Sequence, residues 1–189
     1  MAVERPGSGT RICFRPDPDI FPDVDFDLDL LRDRLDELSI LHAGVEVILE
    51  TRADTTRWRR PAGLADWVRE QTSIGDDSRI LHATLTVGEL HCEVAWCWSL
   101  DHELDASSRV RSWVNSVETK EGGTHVKAFL RNVRTHAPSD DHRLVGALHV
   151  IMPYPRFESP IKAKLDVPEI APFVKATVKA ACLEPPRIP

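Results

Sequence analysis

The stretch VETKEGGTHVKAF, residues 117–129, places two adjacent glycines directly before a helical pattern. The apolar residues that follow recur three and four positions apart, as on one face of a helix, at Val126, Phe129, Leu130 and Val133. Glycine adopts positive φ angles without the steric cost that other residues incur. The pattern therefore predicts a tight glycine turn that leads into a helix.

The residues of this turn support two interpretations, which the sequence alone leaves open. Free backbone N–H groups at the start of a helix can hold an anion, so Gly122, Gly123 and Thr124 could form a phosphate-binding loop. Alternatively, the role is structural: the glycines set the turn, Thr124 caps the helix and His125 packs against it. Two glycines are a weaker signal for phosphate than a full GxxxxGK[ST] loop.

The composition is that of an ordinary globular protein. With 189 residues the chain fits one domain, and 42% hydrophobic with 29% charged residues is typical of soluble proteins. No apolar run approaches the roughly 20 residues that a membrane helix needs. The first ten residues contain no apolar signal segment, so we expect a cytoplasmic protein without a membrane partner.

The charge distribution argues against an autonomous DNA-binding domain. The net charge is −6, and acidic side chains are concentrated in PDPDIFPDVDFDLDLLRDRLDEL, residues 16–38, which would repel a nucleic-acid backbone. A basic footprint over the whole domain is absent, but arginines that could follow a DNA backbone occur in two groups. These DNA-contact candidates are Arg57, Arg59, Arg60, Arg131 and Arg134.

The four cysteines are too few and too scattered for a disulfide framework. Cys92 and Cys97 fall in LHCEVAWCW, residues 90–98, which predicts a buried strand. Their spacing is not that of a zinc knuckle, although His82 and His91 lie nearby. Buried thiols are the simpler interpretation and a metal site is the alternative, so we assign no metal ligands.

Local patterns predict an α+β domain with four to five strands covered by helices. Strand patterns occur in GTRICFRPDPDIF (9–21), VEVILET (45–51) and RLVGALHVIM (143–152), and a hairpin at 79–99 turns at Val87-Gly88-Glu89. Helical patterns occur at 25–44, 62–71, 125–136 and 171–183. The stretch before the glycine turn, residues 101–120, could end as a strand or as a helix, and we assign it as a further short helix.

Four blocks of the chain resemble motifs of one family. GTRICFRPDPDIF resembles GT-x-V-x-F-x-PD-x-x-IF, and LRDRLDELSILHAGVEVIL resembles L-x-x-R-x-R-E-L-A-F-L-N-x-G-L-x-I-x-L. WVNSVETKEGGTHVKAF resembles FVN-x-I-x-T-x-EGGTH-x-x-GF, and VIMPYPRFESPIKAKLDVPEI resembles V-x-V-P-x-P-x-F-x-x-QTK-x-KL-x-x-x-E-V. The blocks keep the family order and cover most of the chain. Together they resemble the transducer domain of gyrase B and of its topoisomerase IV counterpart, which belong to the type IIA topoisomerases.

The resemblance implies one transducer-like domain at residues 1–183, followed by a Pro-rich tail at 184–189. It implies the ribosomal protein S5 domain 2-like fold, which is a four-stranded sheet with helices packed on it and a left-handed βαβ crossover. In that family the domain adjoins a GHKL ATPase domain and extends a loop lysine toward bound ATP. The position of that nucleotide-sensing lysine is Lys162 here, and the second lysine of the pattern is Lys164.

The chain departs from the family pattern directly before the sensing lysine. Pro160-Ile161 replaces Gln-Thr, so the side-chain hydrogen bonds of the Gln are lost and the loop is stiffer. The segment after EGGTH is also shorter than in the family. The chain carries neither the ATPase domain nor the TOPRIM carboxylates, so we expect no catalysis by these residues alone. ATP and Mg²⁺ would enter only through a partner ATPase domain.

Three functions compete at this point. The first is a stand-alone transducer-like module that binds and regulates a gyrase-type or GHKL partner. The second is one part of a split enzyme, with Lys162 supplied in trans to an ATPase partner. The third is a direct binder of the DNA backbone. A homodimer is a further arrangement, and the sequence does not decide between a natural short protein and a fragment.

Overall fold

The computed structural model describes residues 8–72, 79–100, 109–139 and 141–183. Within these ranges the helices are α1 (Leu28–Leu41), α2 (Leu64–Glu70), α3 (Thr124–Val133) and α4 (Ala171–Leu183). The strands are β1 (Glu46–Glu50), β2 (Thr55–Arg59), β3 (Leu81–Val87), β4 (Leu90–Ser99), β5 (Arg109–Val114), β6 (Val117–Glu118), β7 (Gly122–Gly123), β8 (Arg143–Ile151) and β9 (Lys164–Leu165). Two short 3₁₀ helices cover Arg134–His136 and Pro168–Ile170.

The central sheet has the strand order β3-β4-β8-β5-β6. Four of these strands are long, and the two-residue β6 extends one edge. β3, β4 and β8 are antiparallel neighbours, whereas β5 and β8 run parallel and are joined through α3. The α+β class with a βαβ crossover is therefore confirmed, and the left-handed sense of that crossover stays a prediction.

Helices cover both faces of this sheet. α3 and α4 pack on one face, where Trp96 and Leu148 belong to the larger core. The rings of Trp96 and Phe129 meet edge to face at 5.8 Å, and Gly146 of β8 leaves room for the Phe129 ring. α1 and α2 pack on the opposite face over a second core that includes Ala95 of β4. Alternation along each strand separates the two cores.

Arg60 ties together the elements on the α1 side. Its guanidinium donates to Asp36 of α1 at 2.8 Å and to Glu70 of α2 at 2.7 Å. Burial alone would lower the pKa of Arg60, but the hydrogen bonds to Glu70 and Asp36 outweigh it and the pKa is raised. Arg60 therefore fixes the end of β2 against both helices.

Three sequence-based assignments are wrong or incomplete. The predicted strand in 9–21 does not form, because residues 9–16 find no strand partner among the described residues. The helix predicted for 101–120 is instead β5 and β6 where the structure describes it, since Arg109 and Arg111 alternate with residues of the sheet core. β2 was not predicted, because its polar sequence TTRWR carries little apolar alternation.

The remaining elements agree with the sequence patterns. α1 begins after Asp27, whose carboxylate accepts hydrogen bonds from the N–H groups of Asp29 and Leu30. The hairpin of β3 and β4 turns at Gly88, and β1, α2, β8 and α4 fall where predicted. The predicted tail, 184–189, lies outside the described residues.

The two strand cysteines cannot share a metal. Cys92 faces the α3 and α4 side of the sheet, whereas Cys97 faces the α1 and α2 side. Burial raises the pKa of the Cys92 thiol to about 12, so that thiol stays protonated. The buried-thiol interpretation therefore holds for this strand. Among the described residues, no helix combines the length and apolar character needed to cross a membrane.

Candidate functional site

The chain between β8 and α4 folds into a small hairpin at residues 156–166. The N–H of Asp166 donates to the Arg156 carbonyl at 2.8 Å, and the N–H of Glu158 donates to the Lys164 carbonyl at 3.1 Å. Phe157 forms an antiparallel bridge with Leu165, which is fully buried. These contacts hold the two arms of the hairpin and leave residues 159–163 as its tip.

The tip is a tight turn that places Lys162 at an exposed position. The Lys162 N–H donates to the Ser159 carbonyl at 3.1 Å, which closes the turn. Pro160 occupies the second position of the turn, where its fixed φ is favourable. Lys162 has a φ of 58°, in the left-handed region that non-glycine residues rarely adopt. Pro160 therefore stiffens the tip, and Lys162 is exposed on it.

Lys164 differs from Lys162 because it is held within the chain. Its Nζ lies 2.8 Å from Oε1 of Glu158. The hydrogen bond to Glu158, together with the charge of that carboxylate, raises the pKa of Lys164. Of the two lysines predicted at the nucleotide site, the structure leaves Lys162 exposed on the tip and Lys164 paired on the arm.

The glycine pair of EGGTH forms the base of this hairpin. Gly122 and Gly123 pair in parallel with Lys164 and Leu165 of β9, at φ angles of 69° and 132°. A Cβ atom on Gly123 would lie 2.2 Å from the Leu165 carbonyl oxygen, so only glycine allows this approach. The Gly122 N–H donates a hydrogen bond to the Thr119 carbonyl oxygen at 2.8 Å, so it is not free to bind an anion. The structural interpretation of the glycines is thus the one that the contacts support.

Thr124 and His125 complete the connection, although Thr124 does not cap the helix as predicted. Gly123 is the N-cap residue of α3, and it makes no side-chain cap. Instead, Thr124 Oγ1 accepts from the Val167 N–H at 3.1 Å and donates to the Val167 carbonyl at 3.0 Å. His125 is fully buried as predicted, and its Nε2 lies 3.1 Å from Thr119 Oγ1.

These contacts link the hairpin to the central sheet. Ser112 of β5 and Thr119 share a buried hydrogen bond at 2.6 Å between their hydroxyl oxygens. The Glu121 N–H donates to the Ala163 carbonyl at 2.9 Å, directly beside Lys162. The chain from β5 to α3 therefore braces the loop from one side.

The predicted DNA-contact arginines do not form one surface. Arg57 pairs with Glu46 of β1 at 3.3 Å, and Arg60 is the partly buried link described above. β2 lies on the α1 side of the molecule, whereas α3, which carries Arg131, packs on the opposite face of the sheet. DNA contact stays a prediction, with Arg59 on one side of the sheet and Arg131 with Arg134 on the other.

A second cluster, which the sequence did not reveal, lies between α1 and β5. Glu37 is buried, and its carboxylate accepts hydrogen bonds from Trp113 Nε1 and from the Arg34 guanidinium. The Arg111 guanidinium lies 4.8 Å from the centre of the Trp113 ring and 5.8 Å from that of Trp67. No local pattern connects Glu37 with a tryptophan 76 positions later, so only the tertiary fold reveals the cluster.

An open cleft of about 480 Å³ adjoins this cluster. Its lining is mixed in charge, with carboxylates and cations alternating across it: Asp33, Asp36, Glu37 and Glu118 against Arg34, Arg111 and Lys120, together with Leu30. The described carboxylates and guanidiniums are largely paired with one another, as Arg111 is with Glu118 at 2.7 Å. Arg111 of β5 also lies 3.7 Å from Oε1 of Glu37 of α1, so ion pairs at the cleft join these two elements.

Comparison with known proteins points to one family. The sequence model of the family described as DNA gyrase B matches residues 63–137. The chain is 28% identical to the gyrase B protein of Thermus thermophilus over 201 residues, which covers 94% of this chain and 31% of the relative. It is 30% identical to the gyrase B protein of Synechocystis over 206 residues, covering 94% of this chain and 19% of the relative.

Solved structures show the same fold. The 43K ATPase domain of Thermus thermophilus gyrase B, in complex with an aminocoumarin, superposes with a TM-score of 0.71 at 24% identity. The match covers 89% of this chain and 50% of that domain. The topoisomerase IV ATP-binding domain of Francisella tularensis gives a TM-score of 0.66 at 18% identity, covering 88% of this chain and 50% of that domain. The chain thus spans half or less of each of these four proteins.

Proposed function

We propose that this chain, a gyrase B-like domain of the type IIA topoisomerase family, binds a nucleotide-binding partner and presents Lys162 to the terminal phosphate of the partner's ATP. In this proposal the chain is a transducer-like regulatory module, and ATP with its Mg²⁺ belongs to the partner. The relatives are gyrase B proteins, and one of the solved structures is described as an ATPase domain, which favours a partner of the gyrase or GHKL type.

One observation carries the proposal: Lys162 is exposed at the tip of a braced hairpin. Its left-handed φ of 58° is a conformation for which glycine or asparagine is the usual choice. A lysine at such a position is costlier than a glycine, which supports a role for its ammonium group. Lys164 does not compete for the same role, because Glu158 holds its ammonium group at 2.8 Å.

The chemistry available to Lys162 is electrostatic. An ammonium group that donates to a phosphate oxygen forms a charge-assisted hydrogen bond, which contributes about 1.5–3 kcal/mol. The tip is already closed by the Ser159 to Lys162 turn, so little further ordering of the loop is needed on binding. The role of this chain is to hold and orient that donor.

The bracing of the hairpin supplies a route from the nucleotide to the rest of the domain. A partner that pulls the Lys162 tip toward a phosphate would also pull on the β9 strand, which follows the tip directly. β9 is paired to the glycines at the start of α3, and Thr124 is bonded to Val167. Loss of the phosphate contact would end this pull on β9. The nucleotide state of the partner would in this way be transmitted to α3 and the sheet.

The test is the ATPase rate of a purified gyrase-type ATPase protein from the same organism, with and without this chain. We expect the chain to change that rate, and Lys162→Ala to abolish at least nine-tenths of the change, since one phosphate-stabilising contact commonly contributes tenfold or more. Lys175→Ala, an exposed lysine of α4, is the matched control. Equal effects of the unmodified chain and Lys162→Ala would refute the role of Lys162.

A second function is favoured by the outer surface of α3. Lys127, Arg131 and Arg134 are exposed and recur at positions i, i+4 and i+7, so they lie along one stripe. Such a stripe could follow a phosphate backbone. An electrophoretic mobility shift of duplex DNA at about 50 mM salt, lost when all three are changed to alanine and weakened steeply by added salt, would support it. No shift at low salt would eliminate this second function.

A further inference from the structure

The two edges of the central sheet differ in how well they are protected. At one edge the two-residue strand β6 ends the ladder, and a very short edge strand is a usual defence against unwanted pairing. At the other edge lies β3, Leu81–Val87, which is seven residues long and pairs only with β4 among the described residues. The outer side of β3 therefore offers a row of backbone groups to a further strand.

The turn between β3 and β4 determines which backbone groups face this edge. The two strands meet at a two-residue loop, and Gly88 at its first position has a φ of 59°, as in a type II′ turn. Val87 before such a loop exchanges both backbone hydrogen bonds with the opposite strand, and so does every second residue before it. The N–H and C=O groups of His82, Thr84 and Thr86 therefore point outward from the edge.

β3 carries none of the features that commonly block strand addition at an edge. It contains no proline, lysine, arginine or carboxylate. The side chains of His82, Thr84 and Thr86 are exposed, and Nε2 of His82 lies 2.9 Å from Oε1 of Glu93 in the neighbouring strand. The opposite face of β3 packs on α4, which fixes the strand in place. An ordered, uncharged edge of this kind is suited to pairing with another strand.

The sequence of β3 is complementary to itself in the antiparallel direction. Thr84 is the middle residue, so a two-fold axis at Thr84 would pair two copies of the strand over their whole length. On the exposed face, Thr84 would lie opposite its own copy, and His82 opposite the second copy's Thr86. On the other face, Val87, which is 60% exposed, would lie opposite the second copy's Leu81. The register thus covers an exposed apolar side chain at each end.

The charges beside the strand favour a second copy of this chain as the partner. Arg79 precedes β3 and Glu89 follows it, and both are exposed. Each lies five positions from Thr84, so the same two-fold axis would bring Arg79 to the end that carries the second copy's Glu89. Opposite charges would then meet at both ends of the interface, although each chain has a net charge of −6.

We propose that two copies of this chain associate through their β3 edges, antiparallel and in register about Thr84, so that their two five-stranded sheets become one. The interface closes on itself, because it uses the β3 edge of both copies and the short β6 leaves no comparable edge for a third. Two paired strands of seven residues form a small interface, so we expect a dissociation constant on the order of 10 µM. The inference does not depend on the ATPase partner proposed above.

The first experiment measures the mass of the full chain by light scattering as its concentration rises from about 1 to 300 µM. We expect a change from monomer to dimer. Hydrogen exchange at His82, Thr84 and Thr86 should be fast at the low concentration and at least tenfold slower at the high one. A chain that stays monomeric throughout would overturn the proposal. Slow exchange of these amides in the monomer would also overturn it, because the edge would then be covered within one chain.

A lysine at the two-fold axis tests the position of the interface. Thr84→Lys would place two ammonium groups directly opposite each other and should weaken association at least tenfold. Thr55→Lys, which changes an exposed threonine of β2 in a separate sheet, is the matched control and should leave association unchanged. Both threonines are exposed, so melting of the monomers should confirm that each variant is folded. Unchanged association of a folded Thr84→Lys would overturn the proposal.

A charge exchange tests the register and the identity of the partner. Glu89→Arg alone would bring two arginines together at each end and should weaken association several-fold. Combining it with Arg79→Glu restores opposite charges across the axis and should return the dissociation constant to within about twofold of the original. Such recovery requires two copies of the same chain, because a different protein would keep its own charges. A double variant as weak as Glu89→Arg would overturn the antiparallel pairing about Thr84.

Discussion

Gly123 approaches the backbone of Leu165 so closely that a Cβ atom at Gly123 would lie 2.2 Å from the Leu165 carbonyl oxygen and 2.5 Å from the Leu165 nitrogen. The neighbouring atoms are backbone, so they cannot rotate away as a side chain could. The contact joins the start of α3 to the strand that follows Lys162. Gly123 therefore determines whether the hairpin can seat on the rest of the domain.

The first prediction is that Gly123→Ala destabilises the domain by roughly 2–4 kcal/mol, because a positive φ and a clash with backbone act together. Gly88→Ala is the matched control: its φ of 59° is also positive, but nothing lies within 4 Å of the added Cβ. We expect the control to lose only about 1 kcal/mol. Urea unfolding of the three proteins measures both values, and equal losses would mean that the clash is relieved by movement of β9.

The second prediction concerns acid stability. Burial lowers the pKa of His125 and of His149 from 6.5 to about 4, and Nε2 of His149 has no hydrogen-bond partner among the described residues. In the unfolded chain both imidazoles bind protons near pH 6.5, before the folded protein does. Stability is therefore complete above about pH 6.5 and falls as the pH decreases toward about 4, by on the order of 3 kcal/mol for each histidine.

The check is the free energy of unfolding between about pH 7 and pH 4.5 for the unmodified chain and for His149→Gln. Removing one of the two buried histidines should reduce the slope of the unfolding free energy against pH by about half. This holds whatever the variant does to stability at pH 7. A slope that His149→Gln does not alter would show that His149 has the same pKa in the folded and unfolded states, and would contradict this prediction.

The sequence predicted the local character of the EGGTH turn but not its partner. Two glycines before a helical pattern sufficed to predict a positive-φ entry and a buried His125. That Gly123 pairs with Leu165 could not be predicted, because parallel pairing with a residue 42 positions later leaves no local pattern. Thr124 was assigned as a cap for the same reason: Val167, its real partner, is equally distant in the chain.

The errors at 9–21 and at β5 share a cause. A period of two shows which side chains would share a face, but not whether a partner strand exists. Residues 10–15 alternate like a strand, yet they pair with no other strand among the described residues. β5 is the opposite case: it pairs with β8, but its apolar alternation is weak because Arg111 occupies a position that faces α1. Its charge is accommodated by Trp113 and Glu118, which no count of apolar residues detects.

The third prediction concerns Glu37. Glu37→Ala leaves Trp113 Nε1 without its acceptor in a buried position and removes the carboxylate beside Arg111. We expect a loss of about 1–3 kcal/mol, because the buried Trp113 Nε1 donor is left without an acceptor while Arg111 keeps Glu118. Glu46→Ala, which breaks an exposed pair with Arg57, should cost under about 1 kcal/mol. Tryptophan fluorescence during urea unfolding measures both, and a small loss at Glu37 would mean that water replaces the carboxylate.

The fourth prediction separates stability from function at Lys162. Because its φ of 58° suits glycine, Lys162→Gly should stabilise the domain by about 0.5–1 kcal/mol, while Lys162→Ala stays within about 0.5 kcal/mol of the unmodified chain. Both variants lack the ammonium group, so both should lose the effect on the partner's ATPase rate. Thermal unfolding and the ATPase assay, run on the same preparations, give the two readouts. A Lys162→Gly variant that is both less stable and fully active would refute the assignment of this turn and of its lysine together.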